Sequence, residues 1–228
     1  MKKVILSISA MLVSVVGFAQ ANVSNVSQYG FVNGALVSQV GTMNDSDVLQ
    51  MGLANLAMVD QTGDSNETDI NQGGLFNVAS VAQDGTSNDA YVGQLGMANL
   101  AVIDQTGTGN DAVIGQLGGF NYSSITQTGN DNDATSLQFW VGNSSTIIQD
   151  GDGNSAYSLQ GDWFNTSNIS QTGEYNMVAT GQFGFDNFSE VTQWGLGNSA
   201  LTLQYGDSHV STITQVGFGN GAMVFQSN

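Results

Sequence analysis

Glutamine recurs in this chain at Gln28, Gln39, Gln50, Gln61, Gln72, Gln83, Gln94, Gln105, Gln116, Gln127, Gln138, Gln149, Gln160, Gln171, Gln182, Gln193, Gln204, Gln215 and Gln226, nineteen times at a constant step of eleven. The one glutamine outside this series is Gln20. No insertion or deletion interrupts the step, which is the sequence signature of a stacked repeat. Asparagine keeps the same step at Asn22, Asn33, Asn44, Asn55, Asn66, Asn77, Asn88, Asn99, Asn110, Asn121, Asn132, Asn143, Asn154, Asn165, Asn176, Asn187, Asn198 and Asn220, with His209 as the one departure. Glycine stands two residues after each Gln from Gly30 to Gly217, except at Trp140 and Asp162. The unit is N-x-[A/S]-x-[V/I]-x-Q-x-G-x-x, present in eighteen full copies and one partial copy.

The four marked positions before the glycine stand at i, i+2, i+4 and i+6, so they share one face of an extended strand, whereas a helix would scatter them. Each unit therefore reads as a seven-residue strand and a tight turn, such as Asn99 to Gln105 followed by Thr106-Gly107-Thr108-Gly109, with the glycine supplying a positive φ. None of the 19 acidic residues occupies a marked position. Burying an ionised carboxylate costs several kcal/mol, so the marked face is the predicted interior. An unpaired buried amide costs about 1–3 kcal/mol. The inward Asn and Gln are therefore expected to pair with their own copies in stacked strands about 4.8 Å apart, as amide ladders.

A weaker period sets which units stack. Turns after Gln50, Gln72, Gln94, Gln116, Gln138, Gln160 and Gln182 are apolar (MGLA, GGLF, LGMA, LGGF, FWVG, GDWF, FGFD), whereas those after Gln61, Gln83, Gln105, Gln127, Gln149 and Gln171 are polar or small. The true repeat is thus 22 residues. The predicted fold is all-β, a β-solenoid of two parallel sheets face to face, about nine and a half coils long and amyloid-like, roughly nine strand spacings or about 43 Å high. Val37, Val59, Val81, Ile103, Ile125, Ile147, Ile169, Val191 and Ile213 make an unbroken aliphatic row. The opposing row weakens to Ser136, Ser158, Thr180 and Thr202, which predicts less stable later coils.

Lys2 and Lys3, the run VILSISAMLV and small residues at Gly17, Ala19 and Ala21 have the anatomy of a secretory signal peptide over residues 1–21, cleaved after Ala19 or Ala21. A single membrane anchor is the competing reading. Residues 22–228 are then one repeat domain with 19 acids and no Lys or Arg, a composition that excludes nucleic acid as a partner. With no cysteine, an exported chain must rely on packing and hydrogen bonds.

No residue pattern points to catalysis, a cofactor or a metal. His209 lacks a Ser or Cys partner pattern and reads as a substitution in the Asn series. The stretch DGDGN (150–154) matches calcium-loop spacing in part but lacks the twelfth-position Glu. A repeat-based hydrolase would need clustered acids, and the acids here are dispersed through many coils. An ice- or glycan-binding solenoid would need a repeated outward array. Leu56, Met58 and Asp60 against Thr166, Asn168 and Ser170 supply none. The apolar turns, with Phe76, Phe120, Trp163, Phe164 and Phe185, are either a lateral contact or adhesive patch, or aromatics that merely stack on one another along one edge.

The unit Q-x-G-x-x-N-x-A-x-x-x-Q, with the closing segments GNSALTLQ (197–204) and TQVGFGNGAMVFQ (214–226), resembles the curlin repeat family over residues 22–228. That resemblance implies an exported subunit that polymerises into amyloid fibres at the bacterial surface, for adhesion and biofilm matrix. Its implied partners are further copies of itself, a nucleator subunit and an outer-membrane secretion apparatus. Family subunits have fewer coils and often carry Ser where this chain has Asn. Major, minor and nucleating roles, and a monomeric surface-binding adhesin, stay open as alternatives.

Polymerisation is also predicted from the residues alone. A soluble solenoid blunts its end strands with charge, proline or a cap. Here NVSNVSQ (22–28) and NGAMVFQ (220–226) are uncharged and in full register, so each is expected to offer its open edge to another copy. A head-to-tail contact of that kind does not close, and it makes filaments.

Overall fold

The computed structural model describes residues 21–228; apart from Ala21, the expected leader lies outside them. Nineteen strands follow one another in the described residues. Ten form one sheet in the order β1 (Val23–Phe31), β3 (Asp45–Leu53), β5 (Glu67–Leu75), β7 (Asp89–Met97), β9 (Asp111–Gly119), β11 (Asp133–Val141), β13 (Ser155–Trp163), β15 (Met177–Phe185), β17 (Ser199–Tyr205) and β19 (Gly221–Ser227). Nine form the other: β2 (Gly34–Thr42), β4 (Leu56–Asp64), β6 (Val78–Thr86), β8 (Leu100–Thr108), β10 (Tyr122–Asn130), β12 (Ser144–Asp150), β14 (Thr166–Glu174), β16 (Phe188–Leu196) and β18 (Val210–Phe218). Every pairing is parallel and joins residues 22 apart, as Gln94 with Gln116 and Gln105 with Gln127. The chain is an all-β solenoid of 22-residue coils with two parallel sheets, as the periodicity predicted.

The core lies between the sheets and consists of the marked positions. From Asn44 to Gln215 every one of them is buried except His209, which is half-buried. The acidic side chains stand outside, as the charge pattern required.

The strands are longer than predicted. Pairing runs three residues past most of the Gln, so β8 ends at Thr108 rather than at Gln105, but stops one residue past Gln149, Gln204 and Gln226. The glycine two residues after Gln has a φ of 113° to 139° and stays in the ladder except at Gly151 and Gly206. Outside the arcs at 151–153 and 206–208, the bend is confined to the residue before Asn; in every arc that residue has a φ of 54° to 72°. That residue is usually not glycine; Phe76, Tyr175 and Asp186 all adopt the left-handed conformation, at a cost of about 1–2 kcal/mol each. Hydrogen bonds hold it there, because its N–H donates to the carbonyl one coil below, as Ala54 does to Phe31 at 2.9 Å.

Glycine in the ladder is a packing requirement. A Cβ on Gly107 would come within 2.0 Å of the Gly129 carbonyl oxygen in the next coil. Where Trp140 and Asp162 replace this glycine, both keep positive φ, at 77° and 68°. The pairing of β11 with β13 lapses at Phe139 and Trp140 and resumes at Val141.

Candidate functional site

The site is the pair of amide ladders and the strand edges where they stop. The Gln side chains form two unbroken columns. One runs from Gln28 Nε2 to Gln50 Oε1 (2.6 Å) and onward to Gln204 with Gln226 (2.8 Å). The other runs from Gln39 with Gln61 (2.8 Å) to Gln193 with Gln215 (2.7 Å). Donation always goes from the lower-numbered Gln to the higher. From Gln39 onward the same Nε2 also reaches a carbonyl of the opposite sheet, as Gln116 reaches Leu100 O at 3.0 Å, so these Gln tie the sheets together across the core.

The Asn columns do what self-pairing alone does not predict. Asn Oδ1 accepts the backbone N–H of the Asn 22 residues later, as Asn88 accepts from Asn110 at 3.1 Å, and also its Nδ2–H at 3.0 Å. That backbone N–H sits at the bend, where the strand ladder stops, and a buried amide without a partner is costly. Asn Nδ2 also donates to the carbonyl of the ladder glycine one coil on, as Asn110 does to Gly129 at 3.0 Å. Asparagine therefore closes each arc as well as stacking. His209 makes two of these bonds: its N–H donates to Asn187 Oδ1 (3.0 Å) and Nε2 donates to Tyr205 O (3.1 Å), as Asn220 Nδ2 does to Val216 O (3.1 Å).

At the two ends the ladders stop with opposite polarity. Among the described residues, Gln28 and Gln39 Oε1 receive no hydrogen bond, and Asn22 Nδ2 is buried without a partner. At the other end, Gln215 and Gln226 Nε2 donate to Ser199 O and Val210 O, and among the described residues neither donates to another Gln. One end offers acceptors from Gln and donors from Asn; the other offers donors from Gln and an acceptor from Asn220.

Two features escaped the sequence reading. The acids are not simply dispersed. Asp45, Glu67, Asp89, Asp111 and Asp133 stack in register on the outer face of the ten-stranded sheet. Their step of 22 is the signal that could have found them. Partial removal from water between neighbouring strands, together with Glu67, raises the Asp89 carboxyl above its ordinary value; the same partial burial, with Asp89 and Asp133, raises Asp111. Asp69 is raised by burial and by Asp47, against a lowering hydrogen bond from Asn71. Among the described residues, no three His, Asp or Glu converge as metal ligands. In the DGDGN stretch, Asp152 Oδ1 accepts from the Asn130 N–H and Nδ2 (both 2.9 Å) and thereby caps the arc below.

The second feature is a hydroxyl seam. Where Ile114 gives way to Ser136 in one sheet, Ala101 gives way to Ser123 in the other, and the two hydroxyls bond at 2.8 Å. Ser167 and Thr180 repeat the pairing at 2.8 Å, but Ser145, Ser158 and Ser189 Oγ are buried without a partner. Along the apolar edge, Phe76, Phe120, Trp163, Phe164 and Phe185 are exposed, and Phe164 meets Phe185 edge-on with centroids 5.7 Å apart. Stacking along the edge is thus seen at this one pair of the five aromatics.

Two face-to-face parallel sheets with amide columns every 22 residues define a β-solenoid. The sequence model of the Curlin associated repeat matches residues 44–74, 77–107 and 107–135, so this stretch of the chain is made of curlin repeats. No curated protein matches the chain.

Proposed function

We propose that this protein is a structural, non-catalytic subunit of an extracellular curli-like amyloid fibre that grows head to tail and serves adhesion and biofilm matrix. The observation that carries the reading is the opposite polarity of the two ladder ends. Gln215 and Gln226 donors meet Gln28 and Gln39 acceptors only when the tail of one copy faces the head of the next. Two heads would oppose acceptor to acceptor. The curlin repeats over 44–135 support the same reading. A heterologous contact of this kind has no closing rotation and extends indefinitely.

The test is incubation of the purified protein at neutral pH, followed by electron microscopy and by seeding with sheared product. Unbranched fibres whose fragments remove the lag phase are expected. A sample that stays monomeric, or aggregates that do not seed, would contradict the proposal.

A further inference from the structure

The apolar arcs change edge near the C-terminal end of the stack. Arcs leaving the ten-stranded sheet are apolar through FGFD after Gln182, but the next, after Gln204, reads YGDS. Arcs leaving the nine-stranded sheet are polar or small through most of the molecule, yet the last two, after Gln193 and Gln215, read WGLG and VGFG. The apolar stripe therefore crosses from one edge of the solenoid to the other within its last two coils.

We propose that this crossing encodes the register of the junction between copies: the incoming molecule's β1 stacks on β18 and its β2 on β19, a half-coil step that exchanges the two sheets between successive subunits. This rests on the head-to-tail reading above and fixes its geometry. In this register the incoming arc YGFV after Gln28, then MGLA after Gln50, continue the stripe begun by WGLG and VGFG. On the other edge, YGDS is followed by VGTM and TGDS. Phe218 and Phe31, the most exposed large apolar side chains among the described residues at 77% and 76%, come to lie one over the other, with Tyr29 over Val216.

Both ladders also continue without a vacancy. Gln215 donates to Gln28 and Gln226 to Gln39, while the Asn33 N–H meets Asn220 Oδ1. Asn22 stacks on His209, whose Nε2 is engaged by Tyr205 and whose other ring nitrogen is left to accept the Asn22 N–H. The alternative, β1 on β19, keeps each sheet continuous in identity. It leaves an empty strand position above β18 and exposes both Phe31 and Phe218.

Cysteine pairs decide between the registers, because the chain has no other cysteine. Ser27 and Thr214 are both exposed and lie at opposite ends of one molecule; in the half-coil register they fall on adjacent strands, about 4.8 Å apart, within reach of a disulfide. In the alternative register Ser27 falls beside Phe225. Oxidised fibres of Ser27→Cys/Thr214→Cys are expected to give a ladder of covalent oligomers on non-reducing gels, with at least about tenfold more cross-linked material than Ser27→Cys/Phe225→Cys. Fibres that cross-link through 27 and 225 instead, or through neither pair, overturn the half-coil register and leave the fibre reading standing. Failure of the unsubstituted protein to form fibres overturns both.

Discussion

Each glutamine from Gln50 to Gln204 spends both amide hydrogens, one up its column and one across the core, and its Oε1 receives the hydrogen from below. Gln116, for example, donates to Gln138 at 2.9 Å and to Leu100 O at 3.0 Å while accepting from Gln94 at 2.9 Å. A glutamate there keeps the acceptor and loses both donors, so its charge faces an amide oxygen and a carbonyl. Breaking a buried polar network in this way costs about 3–5 kcal/mol. Gln116→Glu is therefore expected to lower stability by that order and to slow fibre growth at least tenfold. Asp111→Asn, in the same strand but outside, removes a charge lying between Asp89 and Asp133 and is expected to be neutral or stabilising. Chemical denaturation and elongation rates of the two variants check the pair, and equal losses would sink the inside-outside assignment.

At the scale of the strand, the two columns that escaped the sequence reading make their own predictions. The hydroxyl seam leaves Ser145 and Ser158 buried and unbonded, where Ala101 and Ile114 stand two coils earlier. Ser145→Ala with Ser158→Val rebuilds the apolar pair and removes two unsatisfied hydroxyls, each costing about 1–3 kcal/mol. The double variant is expected to gain at least about 2 kcal/mol in urea unfolding; a loss would mean that the two hydroxyls are bonded in the folded chain. The acid column sets a pH dependence. Asp69, Asp89 and Asp111 all have carboxyls raised in the folded chain, so the folded state holds protons that the unfolded chain releases near the ordinary aspartate value of about 3.9. Stability accordingly falls as pH rises from about 3.9 through the raised values, with the full penalty present above them. Unfolding midpoints are expected to rise on acidification from pH 7, and Asp89→Asn/Asp111→Asn to flatten that rise. An undiminished slope in the double variant would place its origin elsewhere.

For the molecule as a whole, the coil length, the two parallel sheets, the inward face and the Gln columns were all readable from the sequence. A strict period with a side-chain alternation of two leaves one register. What was not readable depends on atoms that meet only after stacking. The extension of β8 to Thr108 follows from the close approach of Gly107 to Gly129. The arc-closing role of Asn follows from a backbone N–H orphaned at a bend whose position the pattern did not give. The acid column and the paired Ser123–Ser136 substitution were present at steps of 22 and 13, but spacing alone does not say which residues face each other.

If the open ladders of one copy continue into the next, a fibre is one long solenoid with its strands across the axis. X-ray diffraction from aligned fibres tests it most directly. Continuation predicts a sharp meridional reflection near 4.8 Å with diffuse equatorial intensity near 10 Å. Fibres whose 4.8 Å reflection lies on the equator, or that lack it, would contradict the account.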